Sequence, residues 1–285
     1  MGKILAGETT LGNRRHFWGT MGGWGVLSSK IEIYLTNVEN TGMVWERSEV
    51  SMVNGKSAVC NALEGYKENE MIFSGSLYRE RLEEKISEAA YYKVLERMCK
   101  AGELVNVARG TYHLPKKSGY GVVPLSEKDI VSAFTTGGKG TVVGYSLYNR
   151  LGLTTQVGKT VEVLSSALEG ERKTIRNVKV RRVNLEYSDE HEKMIHALEI
   201  LQNFDRIQDL NYPAFIRCAA GIAENYNEQA LWDVLEKVRY KKSTLAFLRE
   251  ILEHYGKPNR IGRMLSGMSE YKHPRMEEIY AAARV

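Results

Sequence analysis

The sequence predicts an α+β protein in which a compact unit of helices and a hairpin precedes an α/β segment and a helical C-terminal region. Three observations support this: three short helical patterns and a hairpin pattern within residues 57–120, alternating helix and strand patterns in residues 121–185, and nearly continuous helical patterns from residue 189. With 285 residues, 43% of them hydrophobic, the chain can bury more than one core. We therefore expect three parts: residues 1–56, 57–120 and 121–285.

Residues 1–56 are expected to be a weakly ordered N-terminal extension. Residues 1–27 are rich in glycine and show neither helical nor strand periodicity. In residues 30–50, apolar alternation at Ile31 and Ile33 precedes an Asn-Thr-Gly turn, which predicts a hairpin.

Three short helices are predicted next. The first is SAVCNALEGY (57–66), and the second is SLYRERLEEKIS (76–87). Ser87 then caps a third helix, which ends at Gly102 because glycine readily adopts the left-handed conformation of a C-terminal cap. The apolar stripe of this third helix consists of Tyr91, Val94, Leu95 and Met98.

A two-stranded pattern follows the third helix. ELVNVA (103–108) and TYHL (111–114) are joined by Arg109-Gly110, and Pro115 ends the pairing because it has no N–H. The order helix, helix, helix, hairpin is typical of a winged helix-turn-helix, whose third helix fits the DNA major groove, about 12 Å wide.

Residues 121–285 are expected to form an α/β domain with a helical C-terminal region. Ser126 should cap a helix, TVVG (141–144) should be a strand, and YSLYNRLGL (145–153) a brief helix closed by Gly152, with Leu151 and Leu153 in the core. Two further strands are predicted, TVEVLSS (160–166) and KTIRNVKVRRVNL (173–185). Helices are predicted at 190–204, 213–224, 227–239, 243–254 and 275–283.

The charge of the chain is unevenly distributed. The formal net charge is +5; residues 71–118 carry nine basic against six acidic side chains, residues 119–182 ten against five, and residues 183–285 fourteen against sixteen. A basic centre suits an anionic partner, nucleic acid first. The sequence contains no apolar run of about 18 residues and no recognisable secretory signal, so we expect a cytoplasmic protein without a membrane partner.

Enzymatic signals are weak. His191 and His196 are five residues apart, which turns the two rings to different faces of a helix instead of pairing them on a zinc ion. GGKGT lacks the spacing of a P-loop, and the three cysteines are too widely spaced to indicate a zinc site or a disulfide framework. We expect a non-catalytic protein that needs neither metal nor cofactor.

Candidate DNA-binding residues lie on the exposed face of the third helix and around the hairpin. Arginine can donate two hydrogen bonds to guanine, and lysine neutralises phosphate. The alternative is an ordinary solvated helix face. The candidates are Tyr92, Lys93, Arg97, Lys100, Arg109, His113, Lys116 and Lys117.

A second candidate surface is either an antitoxin surface, for an acidic partner, or a second nucleic-acid surface. In an extended strand, Lys179 and Arg181 share one face, which can meet a polyanion or an acidic protein; the alternative is a solvent-facing sheet whose charges protect its edge. The loop candidates are Tyr145, Arg150, Thr154, Thr155 and Gln156. The strand candidates are Arg172, Lys173, Arg176, Lys179, Arg181 and Arg182.

Two stretches, LERMCKAGELVNVARGTYHLPKKSGYG (95–121) and GYSLYNRLGLTTQVGK (144–159), carry a resemblance to the AbiEi-type antitoxins of bacterial abortive-infection systems. The resemblance extends over residues 57 to about 255. It implies an antitoxin, active in phage defence, that neutralises a nucleotidyltransferase-like toxin and represses its own operon by binding inverted repeats of operator DNA through its winged domain. It also implies that the two proteins need not form a stable complex. The alternative is a protein-interaction module that neutralises the toxin by direct contact without binding DNA; the slightly acidic residues 183–285 favour it.

Overall fold

The computed structural model of the chain describes residues 8–11, 14–17 and 55–284. The chain divides into two compact units, residues 1–52 and 53–285. In the first unit, strands β1 (Glu8–Leu11) and β2 (Arg14–Phe17) pair in antiparallel fashion. This hairpin was not predicted, because ETTL and RRHF lack the apolar alternation that would have revealed it; the expected weak order of residues 1–56 stays a prediction. The hairpin predicted in residues 30–50 lies outside the described residues.

The first part of the second unit has three helices and a small sheet among its described residues. In chain order these are α1 (Gly55–Leu63), β3 (Met71–Phe73), α2 (Ser74–Arg81), α3 (Glu88–Lys100), β4 (Val105–Ala108) and β5 (Thr111–His113). The sheet is antiparallel with the order β3-β5-β4. The three predicted helices and the predicted hairpin are confirmed, whereas β3 was not predicted.

Helix α3 is defined by the signals seen in its sequence. The Ser87 hydroxyl accepts a hydrogen bond from the Ala90 N–H at 3.4 Å, and Gly102 has a φ of +70° just after the helix ends. The apolar stripe packs against α1 and α2, and its members are therefore all buried: Tyr91, Val94, Leu95 and Met98. The opposite face of α3 is left to solvent.

A second hairpin of this unit, after the β4–β5 hairpin, was not predicted. Strands β6 (Lys116–Ser118) and β7 (Gly121–Val123) pair only with each other among the described residues. Tyr120 at its tip and Val122 are exposed.

The α/β segment contains α4 (Glu127–Thr135), β8 (Gly140–Val143), α5 (Tyr145–Arg150), β9 (Val161–Ser165), β10 (Arg172–Ile175) and β11 (Val178–Arg182). The sheet order is β10-β11-β9-β8, with β9 and β11 parallel and the other neighbours antiparallel. The prediction of one strand over residues 173–185 is wrong. The chain reverses at Arg176, whose φ is +54°, so that Ile175 pairs with Val178.

One face of this sheet forms a core that also includes residues of the first part. Ile130 and Phe134 of α4 pack with sheet residues and with Met71 of β3. The rings of Phe73 and Phe134 are 5.3 Å apart between centroids. The predicted boundary after residue 120 thus passes beside a shared core, and the boundary itself stays a prediction.

Residues 189–282 are mainly helical, as predicted. The helices are α6 (Asp189–Asn203), α7 (Tyr212–Glu224), α8 (Glu228–Lys237), α9 (Lys242–His254) and α10 (Met276–Ala282). Phe204, Phe215 and Phe247 form an aromatic cluster at their centre. Among the described residues, no helix combines the length and apolarity needed to cross a membrane.

Candidate nucleic-acid interface

The exposed face of α3 carries Tyr92, Lys93, Arg97 and Lys100, as predicted. Lys93 and Arg97 are four residues apart, which places them one above the other on the helix surface. The opposite stripe is fixed in the core, so the direction in which these cations project is set by the packing of the helix. The structure therefore presents two adjacent cations and a 40% exposed tyrosine to solvent.

The cations of this face differ in their partners. The Lys100 ammonium donates to Glu96 at 2.6 Å, and this hydrogen bond holds the pKa of the Glu96 carboxyl below its usual value. Within the described part of the chain, neither Lys93 nor Arg97 forms an ion pair. Lys93 and Arg97 are therefore the cations of α3 best placed to meet an anion.

The tip of the β4–β5 hairpin is held in place by the rest of the chain. The Lys173 ammonium on β10 donates to the Arg109 carbonyl oxygen at 2.8 Å and to the Thr111 hydroxyl. The Gly110 carbonyl accepts from the backbone N–H and the hydroxyl of Ser74, at 3.0 and 3.2 Å. The carbonyl oxygen of Arg109 is thus occupied, whereas its side chain is exposed and its guanidinium can reach a ligand.

His113 does not belong to this surface. Its side chain is 1% exposed, because β5 is the central strand of its sheet and this residue faces inward. Its Nδ1 atom lies 3.1 Å from the Leu114 carbonyl oxygen, and burial lowers the pKa of the imidazole. The prediction of a DNA contact by His113 is wrong for this structure.

Lys116 and Lys117 are exposed but lie on β6, in the second hairpin. They share that hairpin with the fully exposed Tyr120. The predicted basic cluster therefore spans α3 and two separate hairpins.

The loop of the second candidate surface, residues 151–159, is fixed by hydrogen bonds. The Thr154 hydroxyl donates to the Gln208 carbonyl at 2.6 Å, and the Gln156 amide donates to Asp209 at 2.5 Å. Thr154 is 4% exposed, so its predicted place in a binding patch is wrong; it anchors the loop instead.

Other residues near this loop are divided between structural contacts and solvent. The Tyr145 hydroxyl donates to the Arg206 carbonyl at 3.1 Å, whereas Arg150 and Thr155 are exposed. Leu153 is buried as expected, but Leu151 is 41% exposed and does not enter the core.

The strand cations are also divided. Lys179 and Arg181 share the exposed face of β11, as the alternation predicted, and Arg182 is also exposed. The Arg181 guanidinium donates to Glu199 at 3.1 Å; burial raises the pKa of that carboxyl, while Arg181 opposes the shift. Arg176 donates to the Leu125 carbonyl, and Lys173 faces the β4–β5 hairpin. The exposed cations of this group that form neither a hydrogen bond nor an ion pair among the described residues are Arg172 and Lys179.

Sequence reasoning missed the contacts that join α2 to the connection between β9 and β10. Glu169 accepts hydrogen bonds from Ser76 at 2.8 Å and Arg79 at 2.6 Å. These residues are about ninety positions apart, and no local pattern signals such a contact.

The chain matches the model of a protein family over residues 74–222, from the start of α2 into the last turn of α7. This range includes α3, the β4–β5 and β6–β7 hairpins and the whole β8–β11 sheet. It spans just over half of the chain. The chain belongs to this family, which is described as a family of unknown function, DUF6088. No curated protein matches the sequence.

Proposed function

We propose that the protein binds duplex DNA through α3 and acts as a transcriptional repressor. The observation that carries this proposal is the pair Lys93 and Arg97, exposed and without ion-pair partners among the described residues, on a helix whose opposite face is fixed in a three-helix core. The order α1-β3-α2-α3-β4-β5 supports a winged helix-turn-helix, in which the third helix enters the major groove.

The side chains of α3 have complementary abilities. Arg97 can donate two hydrogen bonds to guanine or to phosphate, and Lys93 can neutralise a phosphate. Tyr92 can pack on a sugar or donate to a phosphate. The exposed Arg109 side chain and the lysines of β6 add phosphate contacts at the edges of the site.

The biological role proposed rests on the resemblance of residues 95–121 and 144–159 to AbiEi-type antitoxins. On that basis the protein represses its own toxin–antitoxin operon by binding inverted repeats. It also neutralises a nucleotidyltransferase-like toxin without the need for a stable complex. The protein has no catalytic role in this proposal.

The experiment is a binding titration of the full chain on a duplex from its own promoter. The variant Lys93→Ala/Arg97→Ala should bind at least tenfold more weakly, because a good arginine contact contributes about 1–3 kcal/mol. Plotted as log affinity against log salt, the slope should also become shallower by about 2, since each neutralised phosphate contributes roughly one unit. Fluorescence anisotropy at several salt concentrations measures both quantities.

The matched control is Arg239→Ala/Lys272→Ala, which removes one arginine and one lysine from exposed positions in the helical C-terminal region. This control should change the DNA affinity and the salt slope little. Arg239 and Lys272 are far from α3 in sequence, and neither belongs to the core that α3 forms with α1 and α2. An equal loss of DNA affinity in both double variants would show that α3 is not the interface. A DNA affinity that does not change with salt concentration would contradict phosphate contacts.

The second candidate is a protein-interaction module that neutralises the toxin by direct contact. The observation that favours it is the slightly acidic character of residues 183–285, with fourteen basic against sixteen acidic residues. The two roles separate in one assay: if Lys93→Ala/Arg97→Ala abolishes repression but the chain still co-purifies with the toxin and protects cells, neutralisation proceeds through direct contact.

A further inference from the structure

A groove of about 370 Å³ lies between α6 and α7. This volume falls within the range of about 300–1,000 Å³ that small-molecule sites occupy. It lies outside the α3 surface and has no part in the function proposed above. Its lining residues are Leu151, Lys193, Met194, His196, Ala197, Ile200, Ala214, Arg217, Cys218, Gly221, Ile222 and Asn225.

Apart from Lys193 and Arg217, the residues that line the groove are apolar or uncharged near pH 7. Burial raises the pKa of the Cys218 thiol to about 11, so it stays protonated. Burial lowers the pKa of His196 to about 4, and its Nε2 atom is engaged with the Thr141 hydroxyl at 2.7 Å. These two side chains are therefore uncharged near pH 7, and they lie among apolar lining residues such as Met194, Ala197 and Ile200.

The charges around the groove have one sign. Lys193 and Arg217 are exposed at its rim, and among the described residues neither forms an ion pair. The lining residues include no carboxylate. Glu192, which precedes Lys193 on α6, already accepts from Thr141 at 2.7 Å and lies 3.5 Å from His196. An anion at the rim would be the missing partner of two cations.

Gly221 gives a second, independent reason to regard the groove as a site. It lies inside α7, where glycine is among the least favourable residues for a helix. A Cβ atom at this position would meet nothing within 4 Å, so close packing does not require glycine here. The missing side chain leaves the groove open.

We propose that this groove binds an amphiphilic anion, with an apolar body between α6 and α7 and one carboxylate between Lys193 and Arg217. The apolar walls favour a hydrocarbon or aromatic body, and the rim selects negative charge over neutral or positive head groups. The volume suits a small molecule better than a docked helix, whose apolar anchors at positions i, i+3, i+4 and i+7 need a longer groove.

The test is a calorimetric titration of the full chain with sodium octanoate, compared with octylammonium and octan-1-ol. Octanoate should bind with 1:1 stoichiometry, and octylammonium should bind at least tenfold more weakly. Lys193→Ala/Arg217→Ala should weaken octanoate at least tenfold while changing octanol binding little. Arg239→Ala/Lys272→Ala is the matched control and should bind octanoate like the parent chain.

Gly221→Leu tests the apolar half of the site. The substitution fills the groove with a residue that favours helix, so the chain should stay folded with an unchanged circular dichroism spectrum and a melting temperature that is not lowered. Octanoate binding should disappear. Binding that survives in this folded variant, or no octanoate binding by the parent chain at millimolar concentration, would overturn the proposal. The Lys93→Ala/Arg97→Ala variant should keep its octanoate affinity, so failure of DNA binding and failure of this site are distinguishable.

Discussion

His196 lies between α6 and β8, with its imidazole Nε2 atom 2.7 Å from the Thr141 hydroxyl. Burial lowers the pKa of this side chain from 6.5 to about 4, and the nearby Glu192 carboxylate only partly opposes the shift. Below pH 6.5 the unfolded chain therefore binds a proton that the folded chain does not. Stability is consequently lost as the pH falls from 6.5 towards 4.

The expected result is a fall of about 2 kcal/mol in the free energy of unfolding between pH 7 and pH 5 from this residue, at about 1.4 kcal/mol per pKa unit. His196→Gln should remove that part of the slope, whatever its effect on stability at pH 7. Urea unfolding at both pH values measures the difference. The control is His254→Gln at an exposed position, which should keep the slope of the parent chain. If both variants keep it, His196 is protonated in the folded chain.

Individual side chains were predictable only where local geometry decides their direction. The helical period places Lys93 and Arg97 on the outer face of α3, and the alternation of β11 places Lys179 outward; the structure agrees on all three. His113 and Thr154 look like surface residues in sequence. They are buried because of the segments around them: His113 lies on the buried face of the central strand β5, and the Thr154 hydroxyl donates to the Gln208 backbone.

The N-terminal cap of α3 supports the helix that carries the proposed DNA contacts. Ser87→Ala removes the hydroxyl that accepts from the Ala90 N–H and should cost about 1 kcal/mol of stability. Because α3 presents Lys93 and Arg97 together, fraying of its first turns should also weaken DNA binding. Thermal unfolding and the anisotropy titration measure the two effects on one sample.

Ser126→Ala is the matched control for this prediction. Ser126 caps α4 with a capping box, in which the Asp129 carboxylate also accepts from the Ser126 N–H at 3.0 Å. Its loss should destabilise the chain comparably but leave DNA affinity nearly unchanged. If Ser126→Ala weakens DNA binding as much as Ser87→Ala does, general destabilisation and not the order of α3 explains the effect.

Whole elements were predictable when they were long and periodic. Each predicted helix of the C-terminal region is present within a few residues of its expected bounds. Strands β3, β6 and β7 escaped because three residues are too few to show alternation, whereas the equally short β5 was predicted from the hairpin pattern that it shares with β4. The break between β10 and β11 escaped because Arg176 adopts the left-handed conformation, which a sequence signals through glycine or asparagine far more often than arginine.

At the scale of the whole molecule, the segment that contains α3 and the β8–β11 sheet are joined in two ways. Lys173 and Glu169 bind the β4–β5 tip and α2 through hydrogen bonds. The Arg79–Glu169 contact is an exposed ion pair, and such pairs contribute little stability, typically less than about 1 kcal/mol. The apolar core shared by Met71, Phe73 and Phe134 is the stronger connection.

This connection was invisible in the sequence, where residues 57–120 resemble a self-contained unit. The helix and hairpin patterns are local, whereas the shared core forms between segments more than fifty residues apart. A domain boundary drawn from composition and pattern therefore says nothing about cooperativity between the two sides.

Phe134→Ala tests whether the two sides unfold together. Phe134 is fully buried on α4, so the substitution should lower the free energy of unfolding by about 3–5 kcal/mol. Because its ring packs against Phe73 of β3, the loss should reach both sides of the shared core. Native-state hydrogen exchange can follow the amides of β5 and of β9 separately, and both sets should lose the same amount of protection. A loss of protection confined to β9, with β5 protected as in the parent chain, would mean that the α3-bearing segment unfolds independently of the α/β segment. A ligand that stabilises the α/β segment would then not stabilise the proposed DNA-binding surface.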